Sequence, residues 1–324
     1  MINRIGAPLG AGLASALLFV VMVKGTAIAM ALAYLAPLPI MIAALGWGAL
    51  SGAIACGVAS VGVALVVEPL SGLLFALSIA LPGLALARLA ALPAARLPWR
   101  SGAPPSEWTP VGAIVTLAAV FAALISAGAL AALILVYGGY EQGLQAFADA
   151  LQPAIEEATD GAALLPEGET ARDFALALVS FAPAAIAGST LLMFCVNLYA
   201  AARAAALSHR LRRPWPDMPS SLALPAPMAV LALVSLAPAF ALPAPADQFA
   251  WIVAGVLGAA FVLQGLAVLH ALSRGLPMRP LLLAALYFCC LARSTWTLPA
   301  IAIIGVIESF AALRVRAAAR KSKV

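Results

Sequence analysis

Charged residues in this chain are confined to short stretches that separate long runs without any charge. Only 10% of the 324 residues are Asp, Glu, Lys or Arg, whereas 65% are hydrophobic. Residues 25 to 67, for example, contain no charged side chain. A charge in hydrocarbon is costly, so this segregation is typical of a chain that crosses a membrane many times. We predict a single integral membrane domain over residues 1–324, with no separate soluble module.

The signs of the charges predict which segments lie on which side of the membrane. Eight of the 13 acidic residues fall between Glu141 and Asp173, whereas the arginines and lysines gather in other loops. Cytoplasmic loops retain an excess of Lys and Arg. The segment 138–173 is therefore predicted to lie outside, and the basic tail 314–324 inside. We expect a multi-pass protein of a bacterial inner membrane with both termini in the cytoplasm.

The first part of the chain, residues 1–100, is predicted to cross the membrane four times. A spanning helix needs about 20 mainly apolar residues, and fewer suffice where protein surrounds it. Arg4 and Arg88 end on the same side only if an even number of crossings separates them. Four crossings fit the length and are placed at 8–33, 37–48, 50–67 and 70–92. The alternative is a single long helix over 38–67, which would put Arg4 outside.

The C-terminal helices, residues 174–316, pose the same question. One helix over 280–313 would carry the basic tail to the outside, whereas two short helices would keep it inside. We place the hinge between Trp296 and Pro299, with Arg293 beside it. The fold prediction is thus an all-α polytopic transmembrane helical bundle of about eight to ten crossings, including short or broken helices.

The acidic segment 138–173 is predicted to contain an amphipathic helix. Its apolar residues recur at helical spacing. They are Leu144, Phe147, Ala148, Leu151 and Ile155. This pattern favours a helix that lies flat at the membrane interface. Residues 158–170 are rich in loop-forming residues and are predicted to be a flexible outer loop.

Polar residues within or beside the apolar runs are the candidates for a ligand site or a polar network, because such residues are rare in membranes and often functional. They are Lys24, Glu68, Asn197, Gln264, Glu308 and Arg314. Structural alternatives remain open, since a lysine can snorkel, a glutamate can end a turn and amides can join helices. We expect Glu308 to pair with Arg293 or with a neighbouring helix.

Several classes of function are disfavoured by what the sequence lacks. It contains no HExxH, no phosphate-binding loop and no GxSxG, and it has only two histidines. The four cysteines lie in apolar runs without metal-ligand spacing. The basic residues sit beside apolar segments rather than on a soluble surface, which argues against nucleic-acid binding. We therefore expect no enzymatic activity, no cofactor and no metal, and the lipid bilayer as the main partner.

Three stretches carry a resemblance to a known family. They are YLAPLPIMIAALGWGALSGAIACGVASVGVALVV at 34–67, LLFALSIALPGLALARL at 73–89 and GVIESFAALRVR at 305–316. Together they resemble the YybS-like family of bacterial membrane proteins, and the resemblance spans nearly the whole chain. Members of that family tend to close on an acidic residue followed by an arginine. Glu308 and Arg314 would occupy those places.

The N-terminal pattern of Pro-Ile, Gly-x-Gly and Leu-Pro-Gly is also similar to the S components of energy-coupling-factor vitamin transporters. In those proteins the glycine cluster forms a tight turn between two short helices. The resemblance implies a substrate-binding or transport protein. The alternative is a non-enzymatic membrane assembly or envelope-organising factor with a protein partner, which the basic, proline-containing loops favour. The chemistry of the ligand is left open at this point.

Overall fold

The computed structural model describes residues 2–97, 104, 107–158 and 170–321. Over these residues the chain is almost entirely helical and contains no β-strand. Eight of the described helical segments are long and apolar enough to cross a membrane, and two shorter apolar helices accompany them. The all-α polytopic bundle predicted from the charge pattern is therefore confirmed.

The first crossing ends earlier than the sequence suggested. Helix α1 spans Ile2–Val20 and continues as a 3₁₀ turn to Lys24, where Gly25 takes a left-handed conformation with φ of 65°. The short α2, Ala27–Ala33, joins α3, Pro37–Trp47, as one candidate span. The predicted crossing at 8–33 is wrong in its boundary, because the break falls at the glycine and not before Pro37.

Residues 38–67 form two helices, as the parity of the basic loops requires. Helix α4 spans Ala49–Val66, and Gly48 separates it from α3 with φ of 99°. This conformation favours glycine because it has no Cβ. The chain continues through α5, Pro69–Phe75, a π-helical turn and α6, Leu81–Ala90. Four candidate spans therefore precede residue 91, in agreement with the predicted number.

These first helices pack around a core of small and aliphatic residues. Helices α1 and α3 both contact α4, and α6 contacts α3. Ile40, Ala55, Ala59 and Val63 are fully buried there, together with the ring of Phe75. Small side chains at such contacts let helices approach closely, which is the common mode of packing in membranes.

In the described residues after 107, the structure has nine further α-helices. They are α7 (Val111–Tyr137), α8 (Tyr140–Ala158), α9 (Ala171–Leu207), α10 (Met218–Ser221), α11 (Ala226–Ala241), α12 (Ala246–Leu272), α13 (Arg279–Ala292), α14 (Ser294–Ala311) and α15 (Leu313–Lys321). Among them α7, α9, α12 and α14 are long and apolar enough to span, whereas α11 and α13 are shorter.

The C-terminal run 280–313 is broken into two helices, as predicted, but the hinge lies elsewhere. Arg293 leaves the helical conformation, with φ of −141°, and separates α13 from α14. Pro299 lies inside α14. A proline inside a helix removes a backbone hydrogen bond and can kink the helix without ending it. The predicted hinge between Trp296 and Pro299 is therefore wrong.

The chain divides into two compact units. The first comprises Met1–Phe121, Leu191–Pro225 and Ala260–Val324, and the second Ala122–Thr190 and Ala226–Ala259. The predicted single integral domain stays a prediction. In the second unit, the amphipathic helix predicted in the acidic segment is present as α8. Ala148 and Ile155 on its apolar face pack against Ala175 of α9. Residues 159–169, with most of the predicted outer loop, lie outside the described part.

Large apolar side chains remain exposed along the spans. In the first unit Leu50 is 76% exposed and Leu65 is 82% exposed on α4. A soluble surface rarely carries contiguous apolar patches of this kind, whereas a lipid-facing helix requires them. The protein therefore contacts the lipid bilayer through these faces.

Candidate functional site

Residues 208–225 join α9 to α11, and we call this segment the α9–α11 connector. Several side chains hold it against other elements of the first unit. Arg213, within the connector, donates from Nη1 to the carbonyl of Ala90 at 2.9 Å. The guanidinium of Arg210 lies over the ring of Trp47, 4.4 Å from its centroid. These two arginines thus hold the connector against α3 and α6.

An exposed ion pair joins the connector to the end of α12. Nη2 of Arg274 lies 2.7 Å from Oδ1 of Asp217, and Ser220 donates to the other carboxylate oxygen. Hydrogen bonds from Arg274 and Ser220 lower the pKa of Asp217 to about 2. A carboxylate stabilised in this way stays charged at neutral pH. The carboxylate of Asp217 is therefore already neutralised by Arg274.

A less exposed ion pair holds the connector to the C-terminal helices. Ala312 takes a left-handed conformation with φ of 47° between α14 and α15. Nε of Arg314 lies 2.7 Å from Oε1 of Glu308, and its two terminal nitrogens donate to the carbonyls of Pro219 and Leu222. Of the two expected pairings of Glu308, the one with Arg293 is wrong, whereas the one with a neighbouring helix is confirmed, because this turn brings Arg314 of α15 to the carboxylate.

Gln264 is fully buried and makes three hydrogen bonds to two other segments of the first unit. Its Oε1 accepts from the backbone N–H of Leu224, and its Nε2 donates to the carbonyl of Gly305 at 2.7 Å and to the hydroxyl of Ser309. An amide in this setting saturates its donors and acceptor within protein. Gln264 therefore links α12 and α14 to the end of the connector.

Three of the six candidate residues lie close together, and the other three lie at separate positions. Gln264, Glu308 and Arg314 meet at the connector. Asn197 donates to the carbonyls of Tyr34 and Met193, which is a bond between α9 and the α2–α3 turn. Glu68 precedes α5 and accepts from Ser71. Lys24 is exposed at the end of the first crossing. Their roles as ligand-binding residues stay predictions.

A cavity of about 650 Å³ lies within the first unit beside the connector. Its apolar wall comes from the start of α7, the last turns of α9 and α12, and the connector itself. The apolar lining residues are Val111, Ile114, Val115, Val196, Leu198, Pro216, Met218, Pro219, Leu222, Leu263, Leu266 and Ala267. Because one end of each helix contributes, the cavity lies at the end of the spans rather than midway along them.

A small group of polar residues faces the same cavity. They are Cys195, Tyr199, Arg203, Arg213, Trp215, Asp217 and His270. Arg213 is only 6% exposed, and its Nε and the Nε1 of Trp215 are buried without a hydrogen-bond partner among the described residues. His270 bonds to the hydroxyl of Tyr287 at 2.8 Å. The cavity therefore combines apolar walls with a few cationic and aromatic residues.

None of the six candidate residues lines this cavity. Its polar residues were missed because the excess of Arg and Lys in the basic loops was used only to assign the cytoplasmic side. A local signal was present in the sequence Arg213-Pro214-Trp215-Pro216-Asp217, where prolines fix the backbone around an aromatic residue between two opposite charges. Arg314 still bears on the cavity, because it holds the carbonyls of two lining residues, Pro219 and Leu222.

The long apolar helices and the exposed apolar faces define a polytopic α-helical membrane protein. A family model described as "Predicted membrane protein (DUF2232)" matches residues 13–309. The chain belongs to this family. No curated protein and no solved structure matches the chain.

Proposed function

We propose that this protein is a substrate-binding membrane protein that holds a small molecule in the cavity beside the α9–α11 connector, as part of uptake or transport. The observation that carries the proposal is the cavity itself. Its volume of about 650 Å³ lies in the range of roughly 300–1,000 Å³ typical of small-molecule sites. Apolar walls with a few polar groups are also typical of such sites.

The way in which the connector is held supports the proposal. Arg314, Gln264 and Arg274 each bond to it from a different helical element or turn. A binding wall fixed in this manner loses little conformational freedom when a ligand enters, which favours affinity. The proposal assigns no chemical step to the protein, because the sequence carries none of the common catalytic motifs.

The proposed relation to S components of energy-coupling-factor transporters finds support in the N-terminal helices. The resemblance implies a tight glycine turn between two short helices, and α3 and α4 meet at Gly48 in a conformation that favours glycine. The proposed YybS-like membership finds support at the other end of the chain, where Glu308 and Arg314 pair.

The proposed location is a bacterial inner membrane with both termini in the cytoplasm. The excess of Arg and Lys at the end of α9, after α12 and along α15 supports this orientation. The eight candidate spans and the two shorter apolar helices are also compatible with an even number of crossings. With this orientation, the cavity opens at the cytoplasmic ends of α9 and α12.

Native mass spectrometry of the purified protein tests the proposal with a matched pair of variants on α7. Val115 is buried in the cavity wall, whereas Val120 is 47% exposed away from it. Val115→Phe places a ring in the cavity, and Val120→Phe adds the same bulk to an exposed face. We expect a co-purified small molecule on the wild-type protein and on Val120→Phe but not on Val115→Phe. A ligand-free wild-type protein, or equal occupancy of both variants, would contradict the proposal.

A further inference from the structure

The charged residues around the cavity leave a positive charge that the protein does not neutralise. Arg203 and Arg213 line the cavity, and neither forms an ion pair with a described residue. The acidic residue in the lining, Asp217, is bound by Arg274 and Ser220. His270 interacts with Tyr287. No described acidic group is therefore available to the two arginines.

The position of Arg213 makes this imbalance energetically important. Its guanidinium is nearly buried, and burial lowers its pKa because the charged form loses solvation. Arginine nevertheless remains protonated in proteins, so the charge stays in place. Nη1 is satisfied by the carbonyl of Ala90, whereas Nε has no partner. A buried charge without a counterion is stabilised strongly by an anion that lies close to it.

The aromatic ring of Trp215 lies beside the guanidinium of Arg213. The guanidinium carbon of Arg213 lies 5.9 Å from the centroid of the Trp215 ring. The indole N–H is buried without a partner, and an indole nitrogen can only donate. The ring also packs edge to face with Tyr199 at 6.4 Å. An anion bound beside Arg213 would therefore lie close to the Trp215 ring.

The rest of the cavity wall is apolar and follows the helices away from these donors. Cys195 and Val196 lie about three turns before the end of α9, and Leu263 lies between two and three turns before the end of α12. Arg203 and His270, by contrast, lie close to the ends of the same two helices. The site thus has a cationic end at the limit of the spans and an apolar part that extends along them.

We propose that the cavity binds an amphipathic anion, with a phosphate or carboxylate headgroup at Arg213, Trp215 and Arg203 and an aliphatic chain along the walls of α7, α9 and α12. This inference rests on the proposed function and names the class of its ligand. The bidentate geometry of guanidinium suits both phosphate and carboxylate, so the headgroup charge rather than its detailed chemistry is what the site selects.

A matched pair of spin-labelled probes tests the charge requirement. The protein is placed in phosphatidylcholine nanodiscs and titrated with doxyl-stearic acid or with its methyl ester, which has the same chain and no charge. The signal is the part of the tryptophan emission that disappears in Trp215→Phe. We expect the acid to quench this emission with an apparent affinity about tenfold or more above that of the ester, since a hydrogen bond to a charged group is lost in the ester.

Variants of neighbouring arginines locate the headgroup. Arg213→Gln is expected to weaken quenching by the acid about tenfold or more, whereas Arg212→Gln, at the exposed adjacent position, leaves it unchanged. Since Arg213 also holds Ala90, Arg203→Gln provides a second variant that keeps that bond. Arg203→Gln is expected to weaken quenching by several-fold. Equal quenching by acid and ester, or an unchanged affinity in both Arg203→Gln and Arg213→Gln, would overturn the inference.

Competition distinguishes an amphiphile from a free anion. Dodecyl phosphate should displace the spin-labelled acid, whereas inorganic phosphate at the same concentration should not. Displacement by inorganic phosphate alone would overturn the amphipathic part of the inference. These outcomes are separate from the test of the proposed function. If Val115→Phe loses its co-purified ligand while acid and ester bind equally, the binding function stands and only the anionic class is wrong.

Discussion

Arg314 and Glu308 form an ion pair in which Nε lies 2.7 Å from Oε1, with the two side chains 12% and 7% exposed. The same guanidinium donates to the carbonyls of Pro219 and Leu222 in the wall of the cavity. One side chain therefore neutralises a buried carboxylate and fixes part of the candidate binding site. The last helices of the chain, which are remote from the connector in sequence, therefore hold part of the cavity wall in place.

Removal of the carboxylate should destabilise the protein strongly. Glu308→Ala leaves the guanidinium of Arg314 buried without its counterion, and breaking a buried pair in this way costs about 3–5 kcal/mol. The change in the free energy of unfolding can be measured by reversible denaturation in mixed detergent micelles. In the double variant Glu308→Ala with Arg314→Ala, the loss in the free energy of unfolding should be smaller than the sum of the losses in the two single variants, because no unpaired charge is left. Strict additivity would contradict the pairing.

Loss of the buried amide should loosen the end of the connector. Gln264→Leu leaves the N–H of Leu224 and the carbonyl of Gly305 without their side-chain partner, and an unsatisfied buried group costs about 1–3 kcal/mol. We expect faster hydrogen exchange in the peptide that contains Leu224. Gln145→Leu, at an exposed position of α8, serves as the control. Unchanged exchange at Leu224 in the Gln264 variant would contradict the assignment.

Substitution by alanine should affect the stability of the protein differently at two glycines of α12. A methyl group at Gly265 would collide with the backbone carbonyl of Ile301, so Gly265→Ala should force α12 and α14 apart and destabilise the protein by about 1–3 kcal/mol. Gly258 has open space at its Cβ position. Gly258→Ala should be neutral or stabilising by up to about 1 kcal/mol. Equal effects on the unfolding transition would contradict the close approach of α12 and α14.

The ion pair of Asp217 with Arg274 predicts a specific pH dependence. The folded-state pKa of Asp217 is lowered to about 2, mainly by the hydrogen bond from Arg274, below the ordinary 3.8. Its stabilising contribution is therefore complete above the ordinary value and is lost as the pH falls through about 2. Carboxyl-carbon NMR of labelled aspartate measures this directly, with Asp217→Asn to assign the signal.

The control for this titration is Arg274→Gln, which removes the main cause of the shift. In that variant the midpoint should rise towards the ordinary value. A wild-type midpoint near 4, or a midpoint that does not move in Arg274→Gln, would show that the pair does not form in solution.

The fold was largely predictable because membrane insertion imposes simple rules on sequence. Charges had to lie at the ends of spans, and the parity of the basic loops required breaks within 25–67 and 280–313. The positions of the breaks were less predictable. The glycine at position 48 indicated the break between α3 and α4 in the sequence. The break at Arg293 had no such indication, and Pro299 suggested a break where the helix is continuous. A proline permits a break in a helix without requiring it, so the surrounding packing decides.

The site was predictable only in part. Selecting polar residues in apolar runs found Gln264 and Glu308, which do make buried bonds. It missed Arg213 and Trp215, because these lie in a connector between helices and not in an apolar run. Their burial results from contacts over long sequence distances, such as that of Arg213 with Ala90. No local pattern encodes such a contact, so the cavity became visible only in three dimensions.

Photochemical cross-linking tests the central claim, that a ligand occupies this cavity, most directly. A long-chain fatty acid with a diazirine in its chain is added to the protein in phosphatidylcholine nanodiscs, irradiated and mapped by peptide mass spectrometry. We expect cross-links at cavity residues such as Cys195 and Leu263, which decrease strongly in Val115→Phe and persist in Val120→Phe. Cross-links confined to exposed residues such as Leu50, with the same yield in both variants, would contradict the account.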